Sequence, residues 1–180
     1  STKQNRKGRK PPLPAFYFHN TQKSHVKFVT VHYIQWDVLY GIMIITDEKE
    51  EYPMTKYIID TDTASDDAVA LIMALRDPTC DVVAITTVAG NVSLEQATKN
   101  ALISVEMSGV TPPPVYKGIG KPLVRDQINA THVHGMDGLG DVGYPDPKLQ
   151  IEEEHAVPAM LRTIRECDTD IELITLGPLT

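Results

Sequence analysis

Hydrophobic and polar positions change character at about residue 54. Beyond it they fall into short blocks of two alternating kinds. YIID at 57–60 is a brief apolar run of strand length. AVALIMALR at 68–76 reads as a helix that stops at Asp77-Pro78, because a proline disfavours helical geometry in the residue before it. DVVAITTVAGN at 81–91 is rich in β-branched residues and ends on Gly90-Asn91, the pattern of a strand followed by a turn. Ser93 with Gln96 three positions on forms a capping box for a helix running to about Met107, and Gly109 punctuates its end. PPVYKG at 113–118 is another short strand, and a last helix over 155–167 leads into IELITLGPLT at 171–180. Residues 117–148 are rich in Gly and Pro with little periodicity, which suggests a functional loop. Strands alternating with helices predict an α/β fold: a Rossmann-like, mostly parallel sheet covered by helices.

Residues 1–53 break this regularity. They open on the basic run KQNRKGRK at 3–10, continue through FVTVHYIQWDVLYGIMII at 28–45, and close on the acidic DEKEE at 47–51. Lys27, His32 and Asp37 interrupt the apolar positions before they reach the roughly 20 residues a bilayer span needs. The stretch lies too deep for a signal peptide and carries no small-residue cleavage site. Met54 is a plausible natural start, so residues 1–53 are expected to be an atypical leader outside the catalytic fold, with 54–180 forming the N-terminal part of a domain truncated at its C-terminal side.

Charge and cysteine content narrow the function. With 17 basic against 24 acidic residues and a net charge of −7, the chain lacks the electrostatic footprint of a nucleic-acid binder. Its one basic patch reads as a solvated tail. Cys80 and Cys167 stand far apart in unrelated contexts, which offers neither a disulfide framework nor a CxxC metal site and suits a reducing compartment.

The chemistry concentrates in IIDTDTASDDAVAL at 58–71. Four carboxylates, Asp60, Asp62, Asp66 and Asp67, lie within eight positions at the end of an apolar strand. Holding like charges so close costs several kcal/mol without a counter-ion or a shared proton. In parallel α/β sheets ligands bind at the carboxyl ends of the strands, where this cluster falls. Helix capping by Asp66 and Asp67, with Ser65 as N-cap and Asp60 bonded to loop amides, accounts for one or two of the four. A hard divalent cation, Ca²⁺ or Mg²⁺, is the economical explanation of the remainder.

D-x-D-x-x-x-D-D-A-x-A-L after an apolar strand, ITTVAGN at 85–91, KPLVR at 121–125, HVHGMDGLG at 132–140 and TLGPLT at 175–180 run collinearly. In this order they resemble the inosine-uridine preferring nucleoside hydrolase family. The resemblance implies hydrolysis of the N-glycosidic bond of ribonucleosides to base and ribose, by a water held on Ca²⁺. It makes Asp62 a metal ligand and general base, Asp67 a second ligand, and Leu176 a ligand through its backbone carbonyl. Asp66 would accept a hydrogen bond from a ribose hydroxyl, Asn91 would lie beside the carboxylates and orient them, and Asp60 would support them from behind. His134 would lie near the leaving nucleobase, while His132 and His155 read as structural. The resemblance further implies a cytoplasmic role in nucleoside salvage and catabolism, a small-molecule nucleoside as partner, and a homodimer or homotetramer.

The sequence departs from the family pattern in two ways. Thr63-Ala64 stand where many members have Pro-Gly, so the loop must reach its geometry without those aids. Family members also continue beyond the third ligand-bearing motif, with Asn and Glu residues for the ribose 5′ side and a late His-Asp pair whose Asp completes the calcium site. Two other function classes stay open on the residues alone. One is a non-catalytic ribose- or nucleoside-binding module. The other is a haloacid-dehalogenase-type phosphohydrolase, in which Asp60 is the nucleophile, Asp62 the general acid and Mg²⁺ the cofactor. The His132-x-His134 pair, if carried on a strand, would also suit zinc, but no further His or Cys follows at ligand spacing.

Overall fold

The computed structural model describes residues 54–179 and, for the backbone alone, residues 26–30; the rest of the leader and residue 180 lie outside the described residues. Five parallel strands form one sheet in the order β1-β5-β2-β3-β4. They are β1 (Val26–Thr30), β2 (Thr55–Thr61), β3 (Cys80–Thr87), β4 (Val115–Lys117) and β5 (Ile171–Thr175). The helices are α1 (Ser65–Arg76), α2 (Leu94–Ser108), the single turn α3 (Thr131–His134) and α4 (Ala156–Glu166).

Adjacent residues of a strand face opposite sides of the sheet, and Ile58 and Ile59 show it. Ile59 joins Leu71, Val82, Ile85, Ala101, Leu102, Val105 and Val115 in a core beneath α1 and α2. Ile58 joins Ala84, Tyr116, Ala156, Ala159, Ile171 and Leu173 in a second core beneath α4. Helices therefore cover both faces, as parallel sheets require.

Several local expectations hold. α1 ends at Arg76, with Asp77 as its C-cap. Ser93 Oγ accepts from the Gln96 amide at 3.2 Å, and α2 closes on Gly109 at φ +71°. His155 is structural: its Nδ1 accepts from the Val157 amide at 3.2 Å and caps α4. Both cysteines are free.

Other features differ from expectation. The N-cap of α1 is Ala64, whose methyl side chain has no acceptor to offer, while Ser65 stands one position inside the helix and bonds a histidine 69 positions away. The H-x-H pair lies on the helical turn α3 and not on a strand. Within the leader, β1 pairs in parallel with β5, from Val26 opposite Ile171 to Thr30 opposite Thr175. Among the described residues, no helix is long and apolar enough to cross a membrane.

Candidate active site

Strand order places the site. From β2 the chain steps outward through β3 to β4, then α4 carries it back to β5 on the other side of β2. The strand order thus switches direction between β2, whose connection runs outward to β3, and β5 on its other side, and ligands bind in the crevice at the carboxyl ends of strands at such switch points. Asp60, Thr61 and Asp62 end or follow β2; Thr175, Leu176 and Gly177 end or follow β5. The Leu176 amide donates to the Asp60 carbonyl at 2.8 Å and the Val88 amide to the Thr61 carbonyl at 3.0 Å, fixing both exits to the sheet.

Asp62 is 4% exposed and is held by main chain. Its Oδ2 accepts from the Asn91 amide at 2.6 Å. A Cβ on Gly90 would collide with that same oxygen, and one on Gly177 would stand 3.0 Å from the Asp62 nitrogen and 3.3 Å from its Cβ. Two bare backbone positions therefore form the cradle. Asn91 takes part through its backbone N–H.

Asp67 lies in the first turn of α1, where the helix dipole favours negative charge. It too is 4% exposed, and its Oδ2 accepts from Thr61 Oγ1 at 2.6 Å. Asp60 turns the other way and accepts from Thr86 Oγ1 at 2.5 Å. Asp66 is half-exposed, with one oxygen 3.9 Å from His134 Nδ1; that nitrogen makes a 2.8 Å hydrogen bond with Ser65 Oγ.

The electrostatics are those of crowded carboxyls short of positive charge. Burial raises Asp67 to about 7, opposed by its bond from Thr61 and reinforced by the charges of Asp62 and Asp66. Burial raises Asp60 to about 6, opposed by Thr86 and reinforced by Asp62. Burial also raises Asp62, against the bond from Asn91. The charge of Asp66 thus bears on both Asp62 and Asp67, and that of Asp62 on Asp67. One oxygen of Asp62 and one of Asp66 are buried and meet no donor.

These observations bear on a cation. Unpartnered buried carboxylate oxygens among carboxyls that burial and mutual repulsion raise leave a place that positive charge would fill. Among the described residues, no three His, Cys, Asp or Glu side chains are arranged to hold a metal ion. Asp62 and Asp67 supply two carboxylates, and further ligands from this part of the chain would be main-chain carbonyls or neutral side-chain oxygens. The donor set is all oxygen, which suits Ca²⁺ or Mg²⁺ better than zinc. For the phosphohydrolase alternative the geometry is poor: the Asp60 carboxylate is part-buried and engaged by the Thr86 hydroxyl at 2.5 Å, not presented to the crevice as a nucleophile would be.

The structure thus brings Asp60, Asp62, Asp66, Asp67, Asn91, His134 and Leu176 to one end of the sheet. Sequence reading missed Thr61 and Thr86, the hydroxyls that hold Asp67 and Asp60, and the glycines that flank Asp62. Thr61, between Asp60 and Asp62, was an available signal, whereas Thr86 meets Asp60 only through the register of β2 with β3. A cleft of about 350 Å³ between the start of α2 and the segment before α3 is lined by Gln96, Gln127 and Met136 among others.

Residues 57–180 match the model of the inosine-uridine preferring nucleoside hydrolase family. An inosine-uridine preferring nucleoside hydrolase of Leishmania major is 42% identical over 127 residues, 69% of this chain and 40% of that protein. Uridine nucleosidase 1 of Arabidopsis thaliana is 40% identical over 126 residues, 69% of this chain and 38% of that protein. Among solved structures, a plant nucleoside hydrolase superposes with a TM-score of 0.66 at 38% identity, covering 71% of this chain and 41% of that one. A purine-preferring ribonucleoside hydrolase from Gardnerella vaginalis superposes with a TM-score of 0.64 at 33% identity, covering 69% and 40%. The chain spans about two fifths of the length of these relatives. On the match over residues 57–180, this chain belongs to the inosine-uridine preferring nucleoside hydrolase family.

Proposed function

We propose that residues 54–180 carry the cation- and ribose-binding floor of an N-ribohydrolase that cleaves ribonucleosides to free base and ribose. The observation that carries this reading is the pair Asp62 and Asp67, each 4% exposed at the switch point of the sheet and both raised by burial and neighbouring carboxylates. Asp62, Asp67 and the Leu176 carbonyl would hold Ca²⁺, whose other ligands would be water, the ribose hydroxyls and the late Asp that the family resemblance implies. When bound, the cation supplies the charge that lowers the pKa of a water and grips the ribose diol.

The residues of this chain do the rest. Asp62, oriented by the Asn91 N–H, takes the proton of the attacking water at its carboxylate. Asp66, at the crevice side of α1, accepts a hydrogen bond from a ribose hydroxyl with its unpartnered oxygen and fixes the sugar ring. The negative floor stabilises a ribose that gains oxocarbenium character as the bond to the base stretches. Asp60 keeps the strand end in place through Thr86, and His134, held by Ser65, stands near the departing base. Within the family resemblance, the whole protein acts as a cytoplasmic homo-oligomer in nucleoside salvage.

The test is ribose release from inosine and from uridine by the full-length protein with calcium, with Asp62→Asn alongside. Loss of the general base is expected to lower the rate by about 100-fold or more, and chelation to abolish it. A full-length protein that binds calcium yet releases no ribose refutes the hydrolase and leaves a ribose-binding module.

A further inference from the structure

Asn100 stands at mid-helix in α2, fully buried, in a turn whose neighbours Ala97 and Ala101 are also fully buried. Asparagine is a poor helix former, and an amide buried there costs free energy unless its donors and acceptor are all used. They are. Nδ2 donates to the Thr63 carbonyl at 3.0 Å and to the Asp137 carbonyl at 2.8 Å, while Oδ1 accepts from Gln96 Nε2 at 2.9 Å.

The two carbonyls belong to different loops. Thr63 follows Asp62 directly in the carboxylate loop. Asp137 sits in the turn after α3, and that turn is stiff: the Asp137 carboxylate accepts from the amides of Leu139 (2.7 Å) and Asp141 (2.9 Å), and the Gly140 amide donates to the His134 carbonyl at 2.7 Å. A displacement of Asp137 is therefore passed on to His134. Gly138 marks how closely the turn rides on the amide: its φ is +74°, and a Cβ there would stand 2.9 Å from Asn100 Nδ2. The start of the segment is tied separately, by the Ala130 amide to the Asn91 carbonyl at 2.8 Å.

We infer that Asn100 is a positioning residue that sets His134 at its height above the carboxylate floor by gripping both loops through one side chain. The inference rests on the catalytic reading of the site, which gives His134 something to be positioned for. Because Asn100 touches neither the carboxylates nor His134, it acts through the loops alone.

The experiment compares Asn100→Ala, His134→Ala and the double variant of the full-length protein by steady-state ribose release from inosine, together with backbone hydrogen exchange. Asn100→Ala is expected to lower kcat about 10- to 100-fold, the cost of a misplaced group, with KM changed less than about 3-fold. In the His134→Ala background it should cost no more than about 2-fold, since coupled residues are not additive. Exchange at 131–141 should speed up while α2 stays protected. Fully additive losses, or loop protection that does not change, overturn the inference. Should Asn100→Ala fail to fold, Gly138→Ala strains the same contact from the loop side and must show the same non-additivity with His134→Ala. If the unaltered protein releases no ribose, the catalytic reading fails, and exchange alone then decides whether Asn100 grips the two loops.

Discussion

Adding one methyl group at Gly90 tests the geometry at its tightest point. The Cβ of an alanine there would lie 2.7 Å from Asp62 Cγ and 2.8 Å from its Cβ, against about 3.5 Å or more for an unstrained carbon contact. Relief can come in two ways. If the Asp62 carboxylate swings aside, it loses the 2.6 Å bond from the Asn91 amide, and a hydrogen bond to a charged group contributes about 1.5–3 kcal/mol. If the turn lifts instead, it strains the Gly90 amide bond to the Val92 carbonyl (3.1 Å) and the Gln127 bond to the Gly90 carbonyl (3.0 Å), with an overpacking cost of about 1–3 kcal/mol. Either route destabilises Gly90→Ala by about 2–3 kcal/mol, measured by urea unfolding. Because the displaced group is the one proposed to hold the cation and accept the water's proton, calcium affinity by calorimetry and ribose release should both fall by at least about 10-fold. The control is Gly109→Ala, where φ is +71° but nothing lies within 4 Å. It should cost about 1 kcal/mol of backbone strain and leave activity unchanged. A Gly90→Ala protein as stable as the parent, with the same calcium affinity, refutes the cradle.

Three further outcomes follow from the site and its supports. Removing the Thr61 hydroxyl with Thr61→Val should destabilise the fold by about 1–3 kcal/mol and weaken calcium binding, since Asp67 would lose its buried donor; unaltered calorimetry would contradict this. In chelator, stability should fall as pH rises from about 4 to about 7: Asp67 and Asp60 are raised to about 7 and about 6 in the fold, so the stabilisation from their acid forms is full below the ordinary carboxylate range and is lost through those values. Unfolding curves at pH 4.5 and 7.5 check the sign, and added calcium should recover the loss at 7.5. Ser93→Ala removes the α2 cap and should cost about 1 kcal/mol in the same assay without changing calcium affinity.

The periodic parts of this chain were legible in its sequence because their causes are local. Pro78 stops α1, Ser93 and Gly109 bracket α2, and the β-branched run before Gly90 makes β3, each within a few residues of its signal. The crowding of Asp60, Asp62, Asp66 and Asp67 was equally visible, since adjacency in sequence at a strand end forces adjacency in space. What escaped were contacts between distant segments. Ser65 looked like a cap because nothing in its neighbourhood says that His134 will claim its hydroxyl. Asn91 was expected beside the carboxylates, but nothing local says that it is its backbone amide that holds Asp62. Gly90 and Gly177 carry no functional group that a motif could register, yet they are where the chain comes nearest to Asp62. The strand β1 was hidden for a similar reason: its partner among the described residues lies 145 positions away, from Val26 to Ile171.

The insertion of β5 between β1 and β2 also dictates an order of assembly. β2, β3 and β4 pair with neighbours close along the chain, whereas β5 must reach back to Lys56 from Ile171. Long loop closures are slow, so the local β2-β3-β4 unit can form during synthesis well before β5 leaves the ribosome. For that interval one side of β2 is an open edge with unpaired amides, the kind of surface on which nascent chains aggregate. Among the five described strands the earliest made, β1, has no neighbour to pair with until β5 has docked.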